Sequence, residues 1–320
     1  MKNNKVYLGL GTAAIGRPQY INIREKTTKT DFSLEEFRNQ GFSLLQQAYE
    51  MGIRYFDTAP GYGMAENLLI EWLKTIEDPQ VEVATKWGYT YTANFDPNAT
   101  QHEVKEHSLA KLNEQWATSV QLLPYLTTYQ IHSATFETGV LENEGVLRRL
   151  AQLKKNQGLV IGLTSTGSNQ LQVLQQALSI QIEGVPLFDA FQVTYNVLDQ
   201  SLAAILEEMG RQHKRIIIKE ALANGRVFPN PDYPHYAELY RILNEIATHH
   251  SVGIDAIALQ FCRQTVRPFT VLSGASNATH LLSNLQMEEI KLSDEEIRLL
   301  KDQAVSAAFY WEERKALDWN

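Results

Sequence analysis

Short apolar runs alternate with longer amphipathic stretches along the whole chain, and eight such pairs can be counted. Parallel strands that are joined by crossover helices produce this alternation. The run from Leu159 to Leu163 has no polar alternation, as expected of a strand that is covered on both faces. The predicted strands are Tyr7–Gly11, Tyr55–Asp57, Val81–Lys86, Thr128–His132, Leu159–Thr164, Ala190–Val193, Arg215–Lys219 and Phe269–Leu272.

The spacing of these pairs, about 40 residues, fits one closed α/β barrel of eight units, a (β/α)8 TIM barrel. No low-complexity tract, charge block or segment rich in Pro, Gly and Ser divides the 320 residues. Ser33 with Glu36, and Ser293 with Glu296, are capping pairs that predict helix starts. We therefore predict a single domain over residues 1–320.

An open doubly wound sheet is the structural alternative to the barrel. Such a fold usually carries a glycine-rich turn with three glycines after its first strand. The segment Gly9-Leu10-Gly11-Thr12-Ala13-Ala14 lacks the third glycine. The sequence therefore favours the barrel.

Charge and cysteine content narrow the class of partner. The formal net charge is −8 and the basic residues are scattered, so no surface for nucleic acid or an anionic membrane is predicted. Cys262, the single cysteine, lies in an apolar run and is predicted to be a buried hydrophobe. The sequence shows no signal peptide or membrane span. We expect a cytoplasmic protein without a metal, more readily a monomer than an oligomer, that acts on a small molecule.

Ionisable residues close four of the predicted strands, namely Asp57, Lys86, His132 and Lys219. The carboxyl ends of all strands in a parallel barrel meet at one mouth. Each residue alone has an ordinary explanation as a turn residue, a core histidine or a lysine that reaches solvent. Their convergence at one mouth is less easily explained by chance, and it predicts a catalytic centre.

These residue types suit the reduction of a carbonyl group, which needs a hydride at carbon and a proton at oxygen. Tyr62 could donate that proton. Because an unperturbed phenol has a pKa of about 10, we expect the ammonium of Lys86 to lower the pKa of Tyr62. Asp57 would pair with Lys86, and His132 would orient or polarise the carbonyl oxygen.

The chain resembles the aldo-keto reductase superfamily over nearly its whole length. The resemblance is carried by Leu8–Thr12, Phe56–Gly63, Ala84–Lys86, Tyr129–His132 and Leu272–Asn277. It implies a reductase that depends on NADPH, with NADH as the alternative, or the reverse alcohol or sugar dehydrogenase. It also implies that Tyr62 is the general acid and base and that Lys86 and Asp57 adjust its pKa. In the same way, it implies that His132 donates a hydrogen bond to the carbonyl oxygen.

The resemblance also implies cofactor contacts, although the chain departs from the usual pattern in three places. Thr164 and Ser165 stand where many members of the family have Ser-Asn, and Lys219 stands where they commonly have an aromatic residue. Asn277 and His280 stand where basic residues usually bind the 2′-phosphate of the cofactor. The implied contacts are Gly11, Thr12, Asp57, Thr164, Ser165, Gln192, Lys219, Leu222, Gly274, Ser276, Asn277, His280 and Asn284.

Lys219 needs a counter-charge at a partly dry mouth. In a regular strand its neighbour Glu220 points to the opposite face. The sequence therefore predicts that an anionic group of the cofactor or substrate pairs with Lys219 in the complex.

The substrate is predicted only as a small carbonyl compound or sugar. The C-terminal tail, 303–320, is expected to contribute aromatic residues to the pocket, with Phe309 and Tyr310 as further candidates. The principal candidates for the pocket wall are Tyr20, Trp87, Tyr89 and Trp311.

Two other functions remain open at this stage. Lysines at barrel strand ends can form Schiff bases, so Lys86 or Lys219 could serve a lyase of the class I aldolase type. A protein that binds a nucleotide in a regulatory role and turns over slowly would also be compatible with these residues.

Overall fold

The computed structural model describes residues 6–19, 22–23, 33–96 and 99–319. Eight parallel strands close into a barrel, in which the last strand pairs with the first. Two short antiparallel hairpins lie outside the ring, Tyr89–Tyr91 with Glu103–Lys105 and Gln181–Ile182 with Val185–Pro186. The strands are β1 (Leu8–Gly11), β2 (Tyr55–Asp57), β3 (Glu82–Trp87), β4 (Tyr89–Tyr91), β5 (Glu103–Lys105), β6 (Leu126–Ala134), β7 (Val160–Ser165), β8 (Gln181–Ile182), β9 (Val185–Pro186), β10 (Ala190–Thr194), β11 (Arg215–Lys219) and β12 (Thr270–Ser273). The predicted (β/α)8 barrel is confirmed.

Helices cover the outside of the barrel and begin where the capping residues predicted. The hydroxyl of Ser33 accepts from the backbone N–H of Glu36, and Ser293 and Glu296 form a reciprocal capping box. The helices are α1 (Ala13–Gly16), α2 (Leu34–Glu50), α3 (Ala65–Leu73), α4 (Leu109–Ser119), α5 (Glu144–Gln157), α6 (Gln170–Ser179), α7 (Ala203–Arg211), α8 (Ala237–His250), α9 (Ile254–Val266), α10 (Ala278–Leu285), α11 (Asp294–Lys301) and α12 (Ala307–Lys315).

Strand β6 is longer than the sequence predicts, because it continues past His132 to Ala134. The pairing of β6 with β7 shifts between Ile131 and Ala134, where Ser133 has a φ of 56°. The backbone N–H of Ser133 donates to the hydroxyl of Thr164 at 2.7 Å instead of continuing the ladder. This bulge sets the position of His132 at the mouth.

The core fills both the barrel and the layer between strands and helices. Cys262 of α9 is buried, and its thiol donates to the carbonyl oxygen of Tyr195. Burial raises the pKa of this thiol well above its ordinary value, so Cys262 is the inert hydrophobe that the sequence predicts. In the described part of the chain, no helix is long and apolar enough to cross a bilayer.

Candidate active site

A buried ion pair lies at the centre of the barrel mouth. Asp57 ends β2 and Lys86 belongs to the neighbouring strand β3. The ammonium of Lys86 donates to Oδ2 of Asp57 and, at 3.0 Å, to the carbonyl oxygen of Thr58. The two residues are 2% and 0% exposed, so each charge depends on the other for its stability in this dry site.

The second carboxylate oxygen of Asp57 is also occupied. Nε2 of Gln192 donates to Oδ1 of Asp57 at 2.7 Å, and Nε2 of Gln130 lies 3.5 Å from the same atom. Gln192 comes from β10, which is not a sheet neighbour of β2. The carboxylate is therefore fixed by groups from several strands around the mouth.

Tyr62 lies beside this ion pair, in the loop between β2 and α3. The ammonium of Lys86 is 4.7 Å from the centroid of the phenol ring. The hydroxyl of Tyr62 and Nε2 of His132 lie 3.5 Å apart, and the two rings meet edge to face. The structure thus brings together the four residues that the sequence predicts as the catalytic group, Asp57 included.

Burial controls the protonation of Tyr62 and His132. Burial, together with the negative charge of Asp57, raises the pKa of Tyr62 well above its ordinary value. Burial and the charge of Lys86 lower the pKa of His132 well below its ordinary value. The expected lowering of the pKa of Tyr62 is therefore wrong for this structure, in which Tyr62 is a phenol and His132 a neutral imidazole at neutral pH.

Arg17 is the member of the site that sequence reasoning missed. It is 3% exposed, its guanidinium carbon lies 5.4 Å from the ring centroid of Tyr62, and its charge lowers the pKa of that phenol. Nη1 of Arg17 donates to the carbonyl oxygen of Gly61 at 3.2 Å and to Oε2 of Glu103 at 2.6 Å. The side chain of Trp319 lies 4.9 Å from the guanidinium carbon.

Gly16 lets the turn that carries Arg17 approach the loop that carries Tyr62. A Cβ atom at Gly16 would lie 2.0 Å from the carbonyl oxygen of Tyr62. The carbonyl oxygen of Gly16 accepts from the backbone N–H of Met64 at 2.9 Å. The sequence offers no specific signal for Arg17, because Gly-Arg also occurs at Gly210-Arg211 and Gly225-Arg226.

His132 is supported by two further residues. Nε2 of His107 donates to the carbonyl oxygen of His132 at 3.0 Å, and burial lowers the pKa of His107 to about 4. The ring of Tyr89 lies 4.6 Å from the ring of His132. Tyr89 is only half-buried, which places this predicted pocket residue at the mouth.

The other predicted pocket residues lie in different surroundings. Trp87 is fully buried and packs against the ring of His107, and its place in the pocket wall stays a prediction. Trp311 is also buried, and its indole N–H donates to Asp199 at 3.1 Å. Of its neighbours in α12, Tyr310 is buried and Phe309 exposed. Tyr20 lies outside the described residues.

Several side chains with implied cofactor contacts are engaged within the protein. The hydroxyl of Thr164 accepts from Ser133, as described above, and Ser165 donates to Gln170 at 3.3 Å. The buried amide of Asn284 bonds to Ser273 and Asp255, both at 2.6 Å. These two bonds use one of the two N–H donors and one lone pair of this amide.

The remaining implied contacts range from buried to exposed, and Thr12 is fully buried. Thr12, after Gly11, donates to the carbonyl oxygen of Asp57 at 3.0 Å, and Leu222 is half-buried. Four further residues are exposed in the segment from the end of β12 to the first turn of α10. Part of this segment lines a cleft of about 420 Å³ between α10 and α2. These four residues are Gly274, Ser276, Asn277 and His280.

Lys219 is held by residues of its own chain. Its ammonium donates to the hydroxyl of Thr194 at 2.8 Å, and this hydroxyl donates to Glu220 at 3.2 Å. Glu220 has a φ of 54°, so the strand alternation is broken and its carboxylate lies in the same cluster as Lys219 and Arg314. The prediction that Glu220 points to the opposite side is therefore wrong. Burial lowers the pKa of Lys219, while the charge of Glu220 raises it, and an anion that pairs with Lys219 in the complex stays a prediction.

This barrel and its mouth define the class of protein. The model of the aldo/keto reductase family matches residues 7–304. The chain therefore belongs to the aldo/keto reductase family of oxidoreductases.

The relatives are distant but cover most of the chain. An NADH-specific methylglyoxal reductase of Escherichia coli (strain K12) is 23% identical, over 93% of this chain and 94% of the relative. An L-galactose dehydrogenase of Arabidopsis thaliana is 26% identical over 75% of both chains. The holo form of an aldo-keto reductase from Bacillus halodurans superposes with a TM-score of 0.69 at 21% identity, covering 94% of this chain and 92% of the other. This last likeness supports the fold alone.

Proposed function

We propose that this chain reduces an aldehyde or ketone to the alcohol with a nicotinamide dinucleotide, or catalyses the reverse oxidation, and that Tyr62 donates the proton. The observation that carries the proposal is the placement of a protonated Tyr62 between the Lys86–Asp57 ion pair and the neutral His132. A carbonyl oxygen between Tyr62 and His132 would meet two neutral hydrogen-bond donors. Such donors stabilise the negative charge that develops on that oxygen.

The residues fit a dinucleotide at the open side of the mouth. The exposed turn that begins at Gly274 leads into the N-terminus of α10, beside the cleft that Ser276 and Asn277 line. Backbone N–H groups at a helix N-terminus bind phosphate well. We propose that this turn holds the cofactor phosphates. A bound reduced nicotinamide would supply the hydride for the carbonyl carbon.

Residues of the chain itself supply the proton to the carbonyl oxygen. His132 hydrogen-bonds to the carbonyl oxygen and orients it, and Tyr62 transfers its hydroxyl proton to that oxygen. The phenolate that remains is stabilised by the ammonium of Lys86 and the guanidinium of Arg17, each within 6 Å of its ring. Asp57 keeps Lys86 in place throughout.

Of the two alternatives, the lyase receives less support from the contacts of Lys86. A Schiff base requires a free amine, whereas Lys86 is held as a buried ammonium by Asp57 and the carbonyl oxygen of Thr58. Lys219 is hydrogen-bonded to Thr194, and burial lowers its pKa. A regulatory protein that binds nucleotide would keep the same contacts but turn over slowly.

The test is a nucleotide titration followed by turnover of a panel of aldehydes. We expect wild-type turnover, and we expect Tyr62→Phe to abolish it while leaving the nucleotide Kd almost unchanged, because the hydroxyl acts only on the transition state. Tyr7→Phe, at an exposed tyrosine, is the matched control. Nucleotide binding without turnover in the wild type would favour the regulatory function. A lysine adduct trapped by borohydride would favour the lyase.

We also propose that the chain accepts both NADPH and NADH and discriminates only weakly between them. The segment from Gly274 to His280 contains no Lys or Arg that could pair with a 2′-phosphate. The name of the Escherichia coli relative specifies NADH. His280→Lys should therefore raise the affinity for NADPH by about tenfold relative to NADH, which corresponds to about 1.4 kcal/mol. Gln172→Lys, at an exposed position of α6, controls for the added charge.

A further inference from the structure

Two consecutive histidines at the end of α8 converge on one carboxylate oxygen at the start of α11. Nδ1 of His249 and Nε2 of His250 each lie 3.0 Å from Oε1 of Glu296. The three atoms lie within 4.8 Å of one another. None of these residues belongs to the catalytic group described above.

The two nitrogen–oxygen separations suit a small tetrahedral cation. Ligand bonds of about 2.0–2.1 Å at tetrahedral angles place ligand atoms about 3.3 Å apart. Each nitrogen–oxygen distance of 3.0 Å is close to this value. An ion could therefore replace the two ring N–H protons after a small outward movement of the rings.

The carboxylate of Glu296 is fixed in position by its second oxygen. Oε2 accepts from the backbone N–H of Ser293 at 2.7 Å and from its hydroxyl at 3.0 Å. Burial would raise the pKa of Glu296, but these bonds and the two histidines lower it to about 2. The ligand is thus preorganised and charged at neutral pH.

The surroundings leave an open side for the ion and its water. The side chain of His249 is 74% exposed, whereas the side chains of His250 and Glu296 are mostly enclosed. Two imidazoles and one carboxylate form a donor set that suits Zn²⁺ and related transition metals, while Mg²⁺ and Ca²⁺ prefer sites made of oxygen ligands.

We propose that His249, His250 and Glu296 form a site for a divalent transition-metal ion, with Zn²⁺ as the expected ion and water as the fourth ligand. The bound ion joins the end of α8 to the start of α11. It is a structural link and has no part in carbonyl reduction.

The test is a Zn²⁺ titration of chelator-treated full-length protein in competition with a chromophoric chelator. We expect one Zn²⁺ per chain, and binding about tenfold weaker or worse in His250→Gln and in Glu296→Gln. Glu296→Gln keeps a side-chain acceptor for the cap, so it separates loss of the ligand from loss of the helix start. His235→Gln removes an exposed histidine that has a single carboxylate partner, Glu313, and should bind Zn²⁺ as the wild type does.

Thermal unfolding provides the second measurement. Zn²⁺ at a concentration well above its Kd should raise the Tm of the wild type and of His235→Gln by a few degrees, and should not raise that of His250→Gln. Equal Zn²⁺ affinity in the wild type, His250→Gln and Glu296→Gln would overturn the proposal, as would failure of the wild type to bind. Aldehyde turnover should be the same in all of these proteins, so the outcome is independent of the proposed carbonyl chemistry.

Discussion

The guanidinium of Arg17 lies over the ring of Tyr62, with 5.4 Å between its central carbon and the ring centroid. Arg17 is also paired with Glu103 of β5, at 2.6 Å. The positive charge lowers the pKa of Tyr62, while the charge of Glu103 raises it. A hairpin outside the barrel therefore influences the acidity of the proposed proton donor.

This arrangement predicts opposite effects for two substitutions on alcohol oxidation, which needs Tyr62 as a phenolate. Arg17→Met should move the rise of kcat to higher pH by about one unit, and Glu103→Gln should move it to lower pH. The measurement is the pH profile of oxidation. Arg17→Lys keeps the charge and should restore most of the wild-type profile. Shifts in the same direction for both variants would contradict the assignment.

The reduction direction should be nearly independent of pH. The raised pKa of Tyr62 keeps its proton bound at every pH below that value, and the lowered pKa of His132 keeps the imidazole neutral at every pH above it. Both groups thus retain their working forms from about pH 6 to 9, and kcat for aldehyde reduction should be flat there. A tenfold fall per pH unit within that range would show that one group titrates.

Lys86→Met should abolish turnover and also destabilise the fold. It leaves the buried carboxylate of Asp57 without its counter-charge, which costs about 3–5 kcal/mol. Urea unfolding measures this loss. Adding Asp57→Asn to Lys86→Met should restore much of the stability, because the charge is removed, but none of the activity. A double variant as unstable as the single one would show that packing, and not charge, is responsible.

Glu66 of α3 should make the stability of the wild type depend on pH. Burial raises its pKa to about 7, and Oε1 accepts from the hydroxyl of Ser119 at 2.5 Å. Because the folded state holds the proton more tightly than the unfolded state, this contribution is fully present below the unfolded pKa and is lost as pH rises through about 7.

The free energy of unfolding of Glu66→Gln, relative to that of the wild type, should therefore rise by about 2–3 kcal/mol from pH 5 to pH 8. Denaturant unfolding at the two pH values measures the difference. Glu71→Gln, at a half-exposed position of the same helix, should show no such trend. An unchanged difference between the two pH values would mean that Glu66 is ionised in the folded protein at pH 5.

The sequence was sufficient for the barrel and for the placement of the proposed catalytic residues at one mouth, because both depend on local patterns. Asp57 and Lys86 end apolar runs, and parallel strands bring such ends together. The contact between Arg17 and Glu103 could not be predicted in this way, since it joins residues 86 positions apart through a hairpin outside the barrel. The position of Glu220 depends on a positive φ at a residue other than glycine, which has no clear sequence signal.

With the roles proposed above, the two halves of the reaction belong to two halves of the chain. Every residue assigned to proton transfer precedes Ser133, whereas most of those proposed for the nucleotide follow it. The bond from Gln192 to Asp57 joins the two parts across the ring. A carbonyl at the mouth would thus receive its proton from the amino-terminal half and its hydride from the carboxy-terminal half. Exchange of the later half between relatives could alter nucleotide preference while the acid–base chemistry is inherited unchanged.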